Sequence, residues 1–401
     1  MDKKIIKQYM WLRSIDYLLV GLHSAIYVTY LLSNDLDLLQ VNFVNIAFMV
    51  SVFILEIPTG AIADLFGRRV SFVASSLVMG IGFLWYGLAN GLTGFIAAEI
   101  IIALGVTLNS GAFKAWLVDS LHWHGWNGNL TDLFRTEGRF RKLATLVGGL
   151  VGAYIGAVNL SYPMIVAGIG YFVLTFVSAL ITREDYFIPK PKSEIKLWWN
   201  IKEIALTSIK YGLKHKVVFM VITATIVFNL GFPAFNMYWQ PRFSEYVLDA
   251  KYLGYVWVGV VLTAMLGNEA VHWFRKKFPS YKVGFIVLGL VVGITMLVAS
   301  LSGTMAILSL GFFGHEIIRG LIIPYTDTAI QENIPSNTRA TVDSFVHMLA
   351  TGSSGLGLLL AGLIAKNWNI STAWLVSGLI IICLMPLVMI FNSHYHSKLN
   401  N

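Results

Sequence analysis

Long apolar runs separated by short polar connections recur along the whole chain. A hydrocarbon core about 30 Å thick needs roughly 20 apolar residues per helix, and windows of that length can be laid from Tyr9 to Phe391. The pattern predicts an all-α integral membrane protein with twelve transmembrane helices. The first six cover 8–33, 38–63, 70–90, 93–120, 143–159 and 161–182; the second six cover 217–240, 250–273, 282–300, 303–325, 340–365 and 370–392. One long polar interruption, carrying Pro189 and Pro191, divides them six and six. This predicts an N-terminal six-helix bundle over 1–181, a cytoplasmic linker over 182–216 and a C-terminal six-helix bundle over 217–401. Within the linker, Ile195, Trp198, Ile201, Ala205, Ile209 and Gly212 recur at three- to four-residue spacing. That spacing predicts an amphipathic helix lying in the membrane interface; a solubilising connector is the alternative.

Composition agrees with a membrane solvent. Of 401 residues, 56% are hydrophobic and 12% charged, against about a quarter charged in soluble domains. Positive loops stay on the cytoplasmic side. Of the 29 Lys and Arg, only Arg242, Lys251 and Lys366 fall in loops expected outside, and Arg13, Lys114 and Arg319 fall within helices. Both termini are therefore expected in the cytoplasm. The net charge of +8 is a topology signal and implies no nucleic-acid partner. Lys196, Lys202 and Lys210, with Trp198 and Trp199, are placed to meet anionic headgroups of the lipid bilayer. Cys383, the single cysteine, excludes an intrachain disulfide. Residues 1–7 resemble the start of a signal peptide, but the following run contains Arg13 and Asp16 and reads as an uncleaved first helix.

Equal halves invite a search for an internal repeat. A shift of 207 aligns Gly60 with Gly267, Ala63 with Ala270, Arg68 with Arg275 and Arg69 with Lys276, and sets Val271 opposite Asp64. A shift of 208 sets Asp119, at the end of span four, on Asp327, at the end of span ten.

The connection between spans two and three reads Gly60-Ala-Ile-Ala-Asp64-Leu-Phe-Gly67-Arg68-Arg69. It resembles the loop-2/3 signature of the major facilitator superfamily, G-x-x-x-D-x-x-G-R-R/K. The resemblance implies two six-helix bundles rocking around a central cavity lined mainly by spans 1, 4, 7 and 10. It also implies a cytoplasmic charge cluster, whose matching positions here are Asp64, Arg68, Asp119 and Arg339. Glu56-Ile-Pro-Thr-Gly60 and Pro335-Ser-Asn-Thr-Arg339-Ala-Thr are similar to a bacterial subgroup associated with drug efflux, which implies the bacterial inner membrane. Two positions depart from the antiporter pattern: Ile101 stands where many antiporters carry Arg four residues before a Gly, here Gly105. The run Gly148 to Gly156 lacks the Gly-Pro of the span-five motif.

An ionised side chain near the bilayer centre costs about 2.5–3.5 kcal/mol on insertion scales, so each one asks for a partner or a function. Arg13, Asp16, Glu56 and Lys114 fall one to two turns from the cytoplasmic end of their spans. They read either as gating pairs, Arg13 with Glu56 or with Asp16, or as static bridges. In span ten, His315, Glu316 and Arg319 sit near the midpoint. Burial disfavours a carboxylate while a nearby Arg favours it, so movement of Arg319 relative to Glu316 would switch proton binding, and His315 could share the proton. A permanent pair holding helices together is the alternative.

Candidate cavity linings are His23 and Tyr27 in span one, Asn109 in span four, and Asn229, Asn236 and Trp239 in span seven; together they would suit an amphipathic solute. Glu99 reads either as a cation attractor or as a headgroup contact. Gly148, Gly152 and Gly156, and less regularly Gly352 with Leu356, read as packing rows. His122 and His124 near Asp132 fit helical metal ligation poorly, and no metal site is expected.

The expectation is a secondary active transporter, a proton-coupled antiporter exporting small amphipathic or drug-like molecules by alternating access. No Gly-x-x-x-x-Gly-Lys-Ser/Thr run occurs, so the proton gradient is expected as the energy source and no cofactor is expected. Nutrient uptake by symport is the alternative. A membrane enzyme or non-transporting sensor is a third class, but no nucleophile and base assemble, and the chain is not expected to be an enzyme. The expected partners are a small-molecule substrate, protons and the lipid bilayer, with the chain acting as a monomer.

Overall fold

The apolar runs become helices throughout the computed structural model, which describes residues 2–187, 215–334 and 336–399. The helices are α1 (Asp2–Ser24), α2 (Tyr27–Leu32), α3 (Leu38–Phe66), α4 (Arg68–Leu88), α5 (Gly91–Asn109), α6 (Ala112–Trp123), α7 (Leu130–Val158) and α8 (Tyr162–Ile181). They continue as α9 (Lys216–Ser244), α10 (Lys251–Glu269), α11 (Val271–Lys277), α12 (Tyr281–Ser300), α13 (Met305–Asn333), α14 (Ser336–Asn367) and α15 (Ile370–Leu399). Among the described residues, ten helices are long and apolar enough to cross a membrane, or eleven if α10 and α11, bent by 44°, form one span. Large apolar side chains stay exposed on the outer faces, such as Val173 at 58% and Phe176 at 67% on α8. Contiguous apolar surface of this kind suits lipid, and the chain is an integral membrane protein.

Four expected spans differ from the helices observed; span eight, 250–273, breaks at Ala270 between α10 and α11. Span one breaks at Ala25–Ile26, between α1 and α2. Span four breaks at Gly111, whose φ of 68° lies in the left-handed region that glycine enters without a Cβ clash. Span five begins at Leu130 rather than 143, because the polar stretch before the apolar run is helical too. Asn129 caps it, its Oδ1 accepting from the Thr131 N–H at 2.8 Å. The expected amphipathic helix at 195–212 lies outside the described residues, as does most of the expected linker. Arg242, Lys251 and Lys366 belong to helices α9, α10 and α14 rather than to loops.

The trace clusters into two compact units. The first takes in the described residues of 1–36, 43–197 and 247–258; the second takes in those of 37–42, 198–246 and 259–401. In the first unit α1 packs on α7, and α4 packs on α5 and α8. The α1–α7 contact depends on small residues: a Cβ at Gly152 would strike the Leu22 backbone, and one at Gly148 would strike Leu18 and Gly21. Missing side chains let the two backbones meet. Gly156, with its nearest neighbour at 3.5 Å, is less crowded, and Gly352 has no neighbour within 4 Å among the described residues, with Leu356 exposed, so that row makes no close packing contact there.

In the second unit α9 packs on α14 and α15, and α12 packs on α13 and α15. Asn42, fully buried, ties into this unit by donating to the Tyr238 hydroxyl and the Leu358 carbonyl, both at 2.6 Å.

Candidate functional sites within the two units

Arg13 on α1 organises the first site. Its Nη1 meets Asp16 Oδ2 at 2.7 Å, one helical turn on, and its Nη2 donates to the Tyr17 hydroxyl at 2.6 Å. The Tyr17 hydroxyl donates to Glu137 Oε1 of α7 at 3.0 Å, and Arg13 Nε lies 3.6 Å from the same oxygen. Asp16 also accepts from the Tyr171 hydroxyl of α8 at 2.8 Å and from Asn109 Nδ2 at 3.3 Å. One guanidinium therefore serves two buried carboxylates, and three hydroxyl or amide donors fill their remaining lone pairs. Of the two partners expected for Arg13, the structure gives Asp16. Glu56 is exposed and instead accepts from Ser110 Oγ at 2.5 Å. Lys114 sits 4.0 Å over the Phe134 ring, a cation–π contact.

Tyr17, Glu137 and Tyr171 did not emerge from the sequence reading. A signal for Glu137 was present: stepping back from Gly152 and Gly148 through Thr145 and Arg141 leads to it along the face of α7 that meets α1.

The α3–α4 connection turns at Gly67, with φ of 96°, and Glu184 closes over it. The Glu184 carboxylate accepts from the Arg68 and Arg69 backbone N–H groups, each at 2.9 Å. It thereby satisfies free donors and complements the positive end of the α4 dipole. Arg69 donates to the Thr182 carbonyl at 2.7 Å and the Ala179 carbonyl at 2.6 Å, capping the C-terminus of α8. Arg68 Nε pairs with Asp119 Oδ2 at 3.1 Å, joining two members of the expected charge cluster. Asp64 is exposed on the last turn of α3, and the side chain of Arg339 lies outside the described residues. Tyr186, outside the spans, has its phenol pushed above the ordinary range by burial and by the adjacent Glu184.

Toward the other end of the first unit, Glu99 of α5 is buried at 6% exposure and accepts from the Tyr27 hydroxyl at 2.8 Å. His23 meets the Tyr27 ring edge-on at 5.8 Å and the Phe83 ring at 5.2 Å. Tyr86 lies 6.0 Å from Tyr27 and 5.2 Å from Phe95. Glu99 is thus a buried group within an aromatic cluster, not a headgroup contact.

In the second unit Glu316 is almost fully enclosed. Its Oε2 accepts from Arg319 Nη2 at 2.5 Å and Nε at 3.0 Å, and Oε1 lies 3.1 Å from His315 Nδ1. The His315 ring packs against Phe235 at 4.5 Å and Phe232 at 5.2 Å, and among the described residues its Nε2 has no hydrogen-bond partner. The expected trio therefore meets. Trp239 is buried 6.1 Å from Phe312. Asn229 donates to the Thr225 carbonyl of its own helix at 2.9 Å, and Asn236 is exposed. Arg242 holds the Ser302 carbonyl at 3.0 Å and pairs with Glu245.

At one end of this unit Arg275 meets Glu332 at 3.3 Å, and the Tyr281 hydroxyl donates to Glu332 at 2.5 Å. The acid that answers Arg275 is Glu332, not the Asp327 that the repeat alignment pointed to. Among the described residues, no group of three or more His, Cys, Asp and Glu is placed to hold a metal.

The fold is one that solved membrane transporters share. A structure of the nucleoside transporter NupG superposes with a TM-score of 0.75 at 12% identity, covering 98% of each chain. A POT family transporter in complex with 5-aminolevulinic acid gives 0.75 at 14%, covering 97% of this chain and 96% of that one. A bacterial homolog of the human lysosomal transporter Spinster gives 0.67 at 13%, covering 98% and 96%. By sequence, the chain is similar to YxaM of Bacillus subtilis (strain 168), an uncharacterized MFS-type transporter. The two are 24% identical over 270 residues, which span 65% of this chain and 64% of that relative's length. No family profile matches the chain. The relative and these structural neighbours are transporters, not enzymes.

Proposed function

We propose that the chain is a secondary active transporter of the major facilitator superfamily, with twelve membrane helices in two six-helix bundles over 1–181 and 217–401. In this reading it works as a monomer in a bacterial inner membrane, with both termini in the cytoplasm. It exchanges protons for a small amphipathic or drug-like molecule, moving the solute outward. One observation carries the reading: each unit buries a guanidinium–carboxylate cluster inside its helices, Arg13 with Asp16 and Glu137, and Arg319 with Glu316. Such pairs cost free energy to bury and give little to a static fold. They suit a protein that breaks and remakes them, because a carboxylate that loses its Arg takes a proton instead. Glu316, with His315 beside it, is the coupling acid of the second unit. One proton charge crossing about 100 mV carries about 2.3 kcal/mol, enough for roughly fiftyfold accumulation.

Uptake by symport is the second reading, favoured by Ile101 in place of the antiporter Arg and by the missing Gly-Pro. Both are tested by gradient-driven flux in liposomes of known orientation, against cationic dyes, antibiotics, sugars, amino acids, nucleosides and peptides. Movement of a solute up its gradient on an imposed pH difference supports the reading, and its direction separates export from uptake. Solute movement indifferent to the pH difference would remove proton coupling.

A further inference from the structure

Four carboxylates are buried among the described residues: Asp16, Glu99, Glu137 and Glu316. Three have a guanidinium, since Asp16 and Glu137 share Arg13 and Glu316 has Arg319. Among the described residues, the polar partners of Glu99 are hydroxyls. Tyr27 of α2 donates to it at 2.8 Å, and the Tyr86 hydroxyl of α4 is buried beside it, facing the same carboxyl. From α1 the nearest titratable group is His23, whose ring lies edge-on to Tyr27 at 5.8 Å. From α3 the neutral Asn45 amide meets Tyr27. Among the described residues, no charged side chain of these packed elements pairs with Glu99.

A buried carboxylate with no counter-charge is costly, so a positive charge from solution has to complete it. Packing decides which one. Phe95 and Ala98 are fully buried, Tyr86 is 2% and Phe83 3% exposed. An aromatic cage for an organic cation needs open volume between its rings, and here the rings touch one another. A proton needs none. His23 and Tyr27 keep a partly exposed face, giving a proton a way in.

We propose that Glu99 is a proton-carrying site in the first unit, distinct from Glu316 in the second. The step is a single proton transfer: the O–H bond at the Glu99 carboxyl forms or breaks, and no other bond changes. When the proton leaves, the Tyr27 hydroxyl already donates to the carboxylate, and the adjacent Tyr86 hydroxyl is a second donor within its reach. This rests on the transporter reading for its purpose, but its chemistry can be tested without a known solute.

The test is infrared difference spectroscopy of the full-length protein in phosphatidylethanolamine–phosphatidylglycerol liposomes, titrated from acid to alkaline pH. The expected result is a protonated-carboxyl band lost on titration, absent in Glu99→Gln and retained in Glu316→Gln. Tyr27→Phe, which deletes one hydroxyl, should keep the band but shift its frequency, because the carboxyl loses a hydrogen bond. A band unchanged in Glu99→Gln would overturn the proposal. So would wild-type protein that lacks the band and binds tetraphenylphosphonium through Glu99, which would make the cluster an organic-cation site. Flux on the same liposomes separates the two readings: a titrating Glu99 with no solute flux would sink transport and leave the proton site standing.

Discussion

Removing the Arg13 guanidinium should cost far more than removing either acid it serves, and should reverse the sign of a second mutation. Arg13, Asp16 and Glu137 keep side-chain exposures of 17%, 9% and 11%. Arg13→Met preserves the aliphatic bulk but leaves two buried carboxylates without a cation. Breaking a buried pair in this way costs about 3–5 kcal/mol, chiefly the penalty of the uncompensated charge. Glu137→Gln is milder. The 3.6 Å contact to Arg13 weakens, but the amide oxygen still accepts from Tyr17, and Arg13 keeps Asp16 at 2.7 Å. The expected cost is about 1 kcal/mol.

In the Arg13→Met background, Glu137→Gln removes one of the two stranded charges and should therefore stabilise by about 1–2 kcal/mol. Steric trapping in bicelles, which reads unfolding free energy without denaturant, would measure all four corners of this cycle. A Glu137→Gln change that destabilises equally in both backgrounds would mean the two side chains do not interact, and the network described here would be wrong.

Glu316→Gln is expected to abolish gradient-driven transport while leaving folded protein and solute exchange across liposomes; transport at the normal rate would exclude Glu316 as a coupling acid. Gly152→Val should destabilise by about 1–3 kcal/mol through overpacking, because its Cβ meets the Leu22 backbone, whereas Gly156→Val, with 3.5 Å of clearance, should cost clearly less. Equal losses in thermal midpoint would refute the close α1–α7 contact. Asp37 lies just before α3. Burial pulls its proton affinity up, but the Gln40 N–H and Lys366, at 3.0 Å, pull it down further and leave it below the usual carboxylate range. Its contribution is therefore complete above about pH 4 and is lost as pH falls through the lowered folded value. Asp37→Asn should flatten that part of the acid dependence of the thermal midpoint, by a modest amount because both partners are partly exposed.

Hydropathy located the helices because a bilayer demands long apolar runs, and this signal is local. It missed the first three turns of α7, where Leu130 to Lys142 are polar yet helical, because a hydropathy window cannot distinguish a polar helix from a loop. The partners of charged residues were harder. Arg13 and Asp16 were visible as oddities in an apolar run, but Glu137 and Tyr171, which complete their site, lie 121 and 155 positions away along the chain and only packing brings them in. Glu99 carried the opposite ambiguity: its sequence neighbours are apolar whether it meets headgroups or lies in a core. Only the Tyr27 hydroxyl and the surrounding rings decide. The motif at Gly60–Arg69 pointed to a charge cluster, and Arg68 does meet Asp119; the capping of α8 by Arg69 and the closure by Glu184 depend on chain more than a hundred residues downstream.

The two halves place an arginine at equivalent positions, Arg68 and Arg275, and each finds an acid at the end of a later helix: Asp119 on α6 and Glu332 on α13. The second acid lies five residues beyond the alignment's Asp327, because α13 runs unbroken to Asn333, whereas α5 and α6 are interrupted at Gly111. Neither pair is well buried, with side-chain exposures of 33% and 36% in one and 28% and 51% in the other. Pairs this exposed contribute about 0–1 kcal/mol, so stability does not account for their recurrence. A latch that opens in each transport cycle would, since a weak bond is one that thermal motion can break. Glu332→Gln should therefore leave the thermal midpoint almost unchanged while altering solute counterflow severalfold. Exchanging the charges, Arg275→Glu with Glu332→Arg, should restore most of the rate. If Glu332→Gln instead lowered stability by more than about 2 kcal/mol and left counterflow untouched, the pair would be a structural brace and the latch reading of Arg68 would lose its counterpart.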